Sequence, residues 1–191
     1  MKSLKGTQTE MNLITAFAGE SQARNRYSYF ASQAKKEGYE QIAAIFLDTA
    51  DNEKEHAKVL FKLLEGGEVK VAAQFPAGVI ATTSANLLGA AEGERFEYSE
   101  MYPSFAKTAQ SEGFPEIAAT FLNIAVAERG HERRYLTLKR NLDEGATFKR
   151  DGKVVWRCRN CGYMHEGNMA PDECPACKHE QAYFEVFGEV Y

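Results

Sequence analysis

Two stretches of the chain place an imidazole three residues after a carboxylate: Glu53-Lys54-Glu55-His56 and Glu128-Arg129-Gly130-His131. On an α-helix, residues three apart share a face, so each stretch offers one oxygen and one nitrogen donor to a single metal ion. A solitary Glu-x-x-His is most simply a solvated surface pair, but this chain has only four histidines and two of them occupy the pattern. Further acids interrupt apolar stripes. Glu20 lies between Phe17 and Tyr27, Glu94 and Glu97 lie between Ala91 and Met101, and Glu128 lies between Ile124 and Tyr135. An unpaired carboxylate in a core is strongly disfavoured, so a cluster of them calls for cations. Oxygen donors with imidazole suit redox-active iron or manganese better than thiolate-seeking metals. A second donor set sits near the C-terminus, where Cys158-Arg159-Asn160-Cys161 and Cys174-Pro175-Ala176-Cys177 are separated by 12 residues. Two such knuckles predict a tetrathiolate site, for structural zinc or for a single iron.

The elements that must position these donors follow from an internal repeat. Residues 75 apart match over a long span: Tyr27 with Tyr102, Phe30 with Phe105, Gly38 with Gly113, Ile42 with Ile117, Phe46 with Phe121, and the two Glu-x-x-His pairs with each other. Apolar periodicity predicts helices from about Thr9 to Lys36 and from Ile42 to Leu64. A third, capped by Ser84, runs to Gly113 with a kink or bulge at Pro103, and a fourth runs from Pro115 to about Asn141. Residues 66–83, broken by glycines and Pro76, read as a crossover that could hold a short helical piece. Two hairpins joined by a crossover make a ferritin-like four-helix bundle, and its donor set matches a di-iron or di-manganese site. At ~1.5 Å rise per residue, the five acids fall roughly 22–29 Å from the Gly38 and Gly113 turns. With both turns at one end, that predicts a single layer.

The repeat is imperfect at one place. The residue 75 after Glu20 is Arg95, so Glu94 corresponds to Glu20 only after a one-residue shift, and Glu97 falls opposite Gln22. One metal thus has a spare carboxylate, and Glu97 and His56 are expected to compete for it as oxidation state changes. Tyr27 and Tyr102, two turns from Glu20 and Glu94, are either core aromatics or hydrogen-bond donors to ligating carboxylates. Glu55 and Glu92 fall off the stripes and read as surface residues.

The predicted architecture is mainly α: residues 1–146 form the bundle, 147–153 a linker, and 154–191 a small β-rich domain too short to hold itself together without a metal. Net charge is −4 over 191 residues, which gives no basic footprint for nucleic acid. No run approaches the ~20 apolar residues of a membrane span, and no export signal is visible at the N-terminus. All four cysteines are taken up by the knuckles, which fits a reducing, cytoplasmic setting.

Over essentially its full length the chain resembles rubrerythrins. The match rests on Ala18-Gly19-Glu20-Ser21-Gln22-Ala23-Arg24-Asn25-Arg26-Tyr27, on Glu53-x-x-His56, on Glu94-x-x-Glu97-Tyr98 with Met101-Tyr102-Pro103, on Glu128-x-x-His131, and on the four cysteines with Trp156, Tyr163 and Phe184 around them. Gly130, Arg95-Phe96 and Lys178, which stands where rubredoxins carry a glycine, are departures. The resemblance implies a di-iron centre in which Glu53 and Glu128 bridge, Glu20 and Glu94 are terminal, His131 binds one iron, and Glu97 and His56 exchange on the other. It further implies one iron held by Cys158, Cys161, Cys174 and Cys177. The implied activity is an oxidoreductase's: peroxide reduction to water in defence against oxidative stress. Electrons would come from rubredoxin or an NAD(P)H-dependent reductase, in a homodimer or higher oligomer whose chains lie head to tail. The alternative is a ferroxidase or iron-handling protein.

Overall fold

The computed structural model describes residues 2–188. Met1, at the start of the expected bundle, and residues 189–191, at the end of the expected cysteine domain, lie outside them. Helices α1 (Gln8–Lys36) and α2 (Glu40–Leu63) form the first hairpin, and α5 (Pro115–Asp143) pairs with a composite third rod. Thr7 caps α1 by accepting from the Glu10 N–H, and Pro115 opens α5, where its missing N–H costs nothing. Gly38 and Gly113 both adopt φ +83°, the left-handed turn that ends a helix cheaply only with glycine. The third rod is capped by Thr82 rather than by the expected Ser84, because the Ser84 hydroxyl turns outward to Asp143 at 2.6 Å. The connection before it contains no helical piece.

That rod is three elements: α3 (Thr83–Phe96), one π-helical turn (Glu97–Met101) and α4 (Tyr102–Ser111). Pro103 can neither donate to an ordinary helical turn nor fit its ring against the carbonyl four residues back. The wider turn, closed by the Tyr102 N–H on the Glu97 carbonyl, absorbs the mismatch. It also accounts for the one-residue offset in the repeat: Glu20 to Tyr27 is seven steps and Glu94 to Tyr102 is eight, and the π-helical turn houses the extra residue.

The hairpins pack with their turns at opposite ends, which corrects the expectation of a common end. Helix N-termini carry unpaired N–H groups and partial positive charge, and each is met by a glutamate from the other hairpin's turn. Glu112 accepts from the Thr9 N–H at 2.8 Å and from its hydroxyl at 2.6 Å. Its repeat partner Glu37 accepts from the Thr83 N–H at 3.0 Å. Glu53 and Glu128, each 15 residues past its turn, therefore meet near mid-height. Glu20 and Glu94, each 11 residues past the capped threonines, sit roughly 17 Å from opposite ends. The donors thus spread along the bundle axis instead of forming one layer. They lie between two apolar clusters, one built on Tyr27, Phe30, Ile42, Phe46 and Leu87, the other on Leu13, Leu60, Tyr102, Ile117 and Phe121.

After α5 a three-stranded antiparallel sheet, ordered β2-β1-β3, is formed by β1 (Lys149–Cys158), β2 (Met164–Met169) and β3 (Phe184–Val186). Strand β1 begins inside the segment expected as linker, because Lys149 already pairs with Met169 across an irregular stretch. Trp156, Cys158, Ala170, Cys174 and Phe184 make its small core. The sheet domain rests on the Gly38 end of the bundle, where Tyr39 stacks on Phe148 with ring centroids 6.1 Å apart.

Candidate metal centres

Mid-height in the bundle, two sets of four side chains converge, each with donor atoms within 4.8 Å of one another: Glu20, Glu53, His56 and Glu128, and Glu53, Glu94, Glu128 and His131. Glu53 and Glu128 belong to both. His56 Nδ1 stands 2.9 Å from both Glu53 and Glu128 and 3.8 Å from Glu20. His131 Nδ1 stands 2.7 Å from Glu128, 3.2 Å from Glu53 and 3.8 Å from Glu94. All four carboxylates are buried to within 1 % of full enclosure, and on each one oxygen lacks a well-aligned hydrogen-bond donor: Glu20 Oε2, Glu53 Oε1, Glu94 Oε2 and Glu128 Oε1. Leaving such atoms unpaired in a core is costly. Four buried carboxylates carry the charge that two divalent cations neutralise, so the donor set fits a pair of such ions.

Charge in the metal-free cluster is redistributed by protons. Burial lowers the pKa of both imidazoles, but hydrogen bonds to Glu128 and Glu53 outweigh it and hold His56 at about 9 and His131 at about 12. Burial would raise Glu128, yet hydrogen bonds from both histidines bring it to about 2. Glu94 is pushed up to about 8 by burial, opposed by His131, and Glu20 is raised well above the usual range by burial and by Glu97, Glu128 and Glu53. Glu94, His56 and His131 all bind protons more tightly folded than unfolded, so the stability they lend is whole at low pH. It is lost as pH rises, from 4.5 to about 8 for Glu94 and from 6.5 to about 9 and beyond for the histidines. Glu128 acts oppositely and penalises acid below 4.5. The metal-free protein is therefore expected to lose roughly 5–10 °C of Tm between pH 6 and pH 9, while the metal-loaded protein, with cations in place of protons, loses little. Parallel Tm profiles for the two forms would refute this assignment of charge.

The tyrosines reach across the pseudo-twofold: the Tyr27 hydroxyl donates to Glu94 and the Tyr102 hydroxyl to Glu20. Both phenols are fully buried. Glu97, on the π-helical turn, joins neither set; it is half-buried in the wall of a cavity of about 850 Å³ that it shares with Gln22, Arg26, Phe75, Phe96 and Met101. Two residues near the donors were given no role by the sequence, Arg26 standing only within the stretch that carries the resemblance. Arg26 lowers the pKa of Glu97 against burial and the neighbouring carboxylates that raise it, and Asn52 Oδ1 lies 3.1 Å from His131 Nε2. Asn52 directly precedes Glu53, and a polar residue there is indistinguishable in the sequence from the polar face of α2. Glu55 and Glu92 are exposed, as expected.

In the sheet domain the four sulfurs also meet within 4.8 Å. Cys158 and Cys177 Sγ are 3.7 Å apart and Cys161 and Cys174 Sγ 3.6 Å, too far for a disulfide. The spacing is close to the ~3.8 Å edge of a tetrahedron with metal–sulfur bonds of ~2.3 Å. The thiols share charge unequally. The His179 N–H, with further sulfur contacts, brings Cys177 down to about 6. Although the Tyr163 N–H favours its thiolate, Cys161 is pushed up to about 12 by the Cys177, Cys174 and Cys158 sulfurs. The two knuckles turn alike: Gly162 has φ +82° and Lys178 φ +62°. Lys178 accepts the left-handed conformation because its N–H bonds the Cys174 carbonyl at 2.9 Å, at a cost of ~1–2 kcal/mol for a side chain. Lys178→Gly is expected to stabilise the sheet domain by about 1 kcal/mol in denaturant unfolding followed at Trp156; an unchanged midpoint would show the turn to be unstrained. His165 and His179 join neither donor set.

Comparison with known proteins extends the match along the chain. The rubrerythrin family model matches residues 11–139, and the model of the rubrerythrin rubredoxin-like domain matches residues 156–185. A rubrerythrin of Nitratidesulfovibrio vulgaris is 61 % identical over 188 residues, covering 98 % of both chains. A structure of fully reduced, all-ferrous nigerythrin superposes with TM-score 0.64 at 32 % identity, covering 97 % of this chain and 92 % of that one. A Desulfovibrio desulfuricans bacterioferritin, described with a di-iron site, gives TM-score 0.63 at 22 % identity over 73 % of this chain and 82 % of its own, which speaks to the helical fold alone.

Proposed function

The chain belongs to the rubrerythrin family, and from that premise we propose that it is a di-iron oxidoreductase that reduces hydrogen peroxide to water. The observation that carries the reading is the pair of donor sets sharing Glu53 and Glu128, in a chain that also holds four converging thiols. Glu20 with His56 and Glu94 with His131 complete the two positions, and the cysteines would hold a third iron.

Two ferrous ions held there would supply both electrons for the reduction, in which H2O2, two electrons and two protons give two waters. The protein's part is to hold and insulate that pair. Glu20, Glu53, Glu94 and Glu128 neutralise it in an enclosure from which bulk water is absent, where charge interactions are strong. Tyr27 and Tyr102 donate to the outer carboxylates from behind and keep them aimed. Glu97, which belongs to neither set, is free to move in and exchange with His56 when the charge at that position rises. The cavity beside Glu97 gives a small polar oxidant its approach.

Cys158, Cys161, Cys174 and Cys177 would hold an iron that could pass electrons singly, from rubredoxin or an NAD(P)H-dependent reductase. Cys177 lines a cleft with Lys36 and Gly38 at one end of the bundle, while Glu94, Glu53 and Glu20 stand roughly 17–27 Å down it. Electron tunnelling falls off exponentially with distance, so the tail is better placed to serve a second copy set head to tail, in a homodimer. No helix among the described residues is long and apolar enough to cross a membrane, and four uncrosslinked thiols suit the reducing cytoplasm and a role in oxidative stress defence. A ferroxidase would use the same carboxylates but has no use for a one-electron tail.

The deciding experiment is stopped-flow mixing of the fully reduced protein with peroxide and, separately, with oxygen. Peroxide should oxidise the di-iron site faster than oxygen does. Equal rates, or oxygen ahead, would overturn the reading in favour of the ferroxidase.

A further inference from the structure

We infer that Asn52 is a positioning residue that anchors His131, and that its absence from the matching place in the second half of the repeat is what leaves His56 free to exchange. The two histidines are repeat partners with similar near sides: each Nδ1 faces the shared carboxylates within 3.2 Å. Their far sides differ. His131 Nε2 lies 3.1 Å from Asn52 Oδ1, a contact that bridges α5 to α2. The residue 75 after Asn52 is Ala127, which has no polar side-chain atom, and among the described residues His56 Nε2 has no hydrogen-bond partner. The His131 side chain is 6 % exposed and that of His56 17 %.

A ligating imidazole is held in its tautomer and orientation by what its other nitrogen donates to, and losing that partner typically costs about 10–100-fold in metal affinity. With the N–H on Nε2, His131 donates to Asn52 and presents the Nδ1 lone pair to the Glu53/Glu94/Glu128 position. His56 presents the same lone pair, but no hydrogen bond on its far side fixes the orientation of its ring. The fold is symmetric enough to build two like positions, and one asparagine makes one of them rigid. The inference rests on the reading of the cluster as a di-iron site with ligand exchange at His56, and explains why exchange is confined to one ion.

The test uses the full chain, stripped of metal and titrated anaerobically with Co(II), whose visible bands report each site. In Asn52→Ala, one of the two bundle sites should weaken about 10–100-fold while the other keeps its affinity, and Asn52→Asp, which retains the acceptor, should restore it. In the metal-free protein, the Nε2–H resonance of His131 should be present in the parent and lost to exchange in Asn52→Ala. Unchanged binding of both ions in Asn52→Ala, equal weakening of both, or failure of Asn52→Asp to restore the site would each overturn the assignment. Ala127→Asn supplies the reciprocal arm: an acceptor beside His56 should leave its ring in one position in crystal structures of both oxidised and reduced protein. A ring that still moves would overturn the account of exchange. If the parent itself shows identical ligands in both states, it is the exchange reading that falls, and the Co(II) titration still judges Asn52.

Discussion

Glu128→Ala is expected to empty both metal positions of the bundle, whereas Glu20→Ala empties one. Glu128 is common to the two donor sets, and both imidazoles pair with it at 2.7–2.9 Å. Glu20 belongs to the His56 set alone. Losing a direct ligand costs at least as much as losing a residue behind one, so each ion deprived of Glu128 should bind at least ~100-fold more weakly. After dialysis against a competing chelator, metal analysis should find the bundle close to two ions per chain in the parent, about one in Glu20→Ala, and close to none in Glu128→Ala, with the cysteine site as internal standard. The variants should still fold. An unpaired buried carboxylate opposes folding, alanine is the better helix former, and the apolar clusters on either side of the donors are untouched. A metal-free check exists as well. Glu128 contributes the leading upward push on both His56 and His131, so the loss of Tm between pH 6 and 9 should flatten in Glu128→Ala. Two ions retained in this variant would mean that Glu128 is not shared.

The helices were legible because their apolar period, glycine stops and repeat all agreed. Their relative direction was not. Counting from Gly38 and Gly113 gives the same heights whether the turns share an end or face opposite ways, and only the caps decide: Glu112 on Thr9 and Glu37 on Thr83. That choice turns an expected single layer into two positions strung along the axis with Glu53 and Glu128 between them. The π-helical turn was half legible. Pro103 announced a disturbance, and the spacing of eight residues against seven recorded an insertion, but joining the two requires seeing Tyr102 bond back to Glu97.

At the site, residue type and period brought out every acid that the structure gathers, since a carboxylate inside an apolar stripe is conspicuous. Glu97 shows where this logic weakens. It lies on the same stripe as Glu94, yet the π-helical turn begins at it and swings it to the cavity wall. The roles of Asn52 and Arg26 were hidden for the opposite reason. Polar residues on a helix are ordinary, and only the facing helix or the nearby carboxylate gives them a task. Lys178 was visible as a departure from a glycine position, and the backbone shows that the turn is kept and the side chain bears its cost.

Withdrawing the metal from the cysteines is expected to unfold the sheet domain and leave the bundle intact, and the chain carries its own reporter. Trp156 is the only tryptophan; it is fully buried in the sheet domain, with its indole N–H on the Gly167 carbonyl at 3.1 Å. The core consists of five fully buried side chains, Trp156 included, two of them cysteines. Even a 70–80-residue core rarely supplies more than about 3–5 kcal/mol, and this domain is about half that size, whereas a tetrathiolate ion is worth on the order of 10 kcal/mol or more. Without the ion, four sulfurs 3.6–3.7 Å apart must share charge among themselves, with Cys161 and Cys177 driven in opposite directions. Cys174→Ser, or removal of the ion by a thiol-reactive mercurial, should therefore move the tryptophan emission to that of solvent-exposed indole. The helical far-UV signal should hardly change, because α1 to α5 are held by clusters that include no residue of the sheet. Stripping only the bundle ions should leave the emission where it was. A tryptophan that stays buried in Cys174→Ser would show that docking on Tyr39 and Gly38, rather than the metal, holds the sheet domain together. A helical signal lost in step with the emission would show that the two parts fold as one unit.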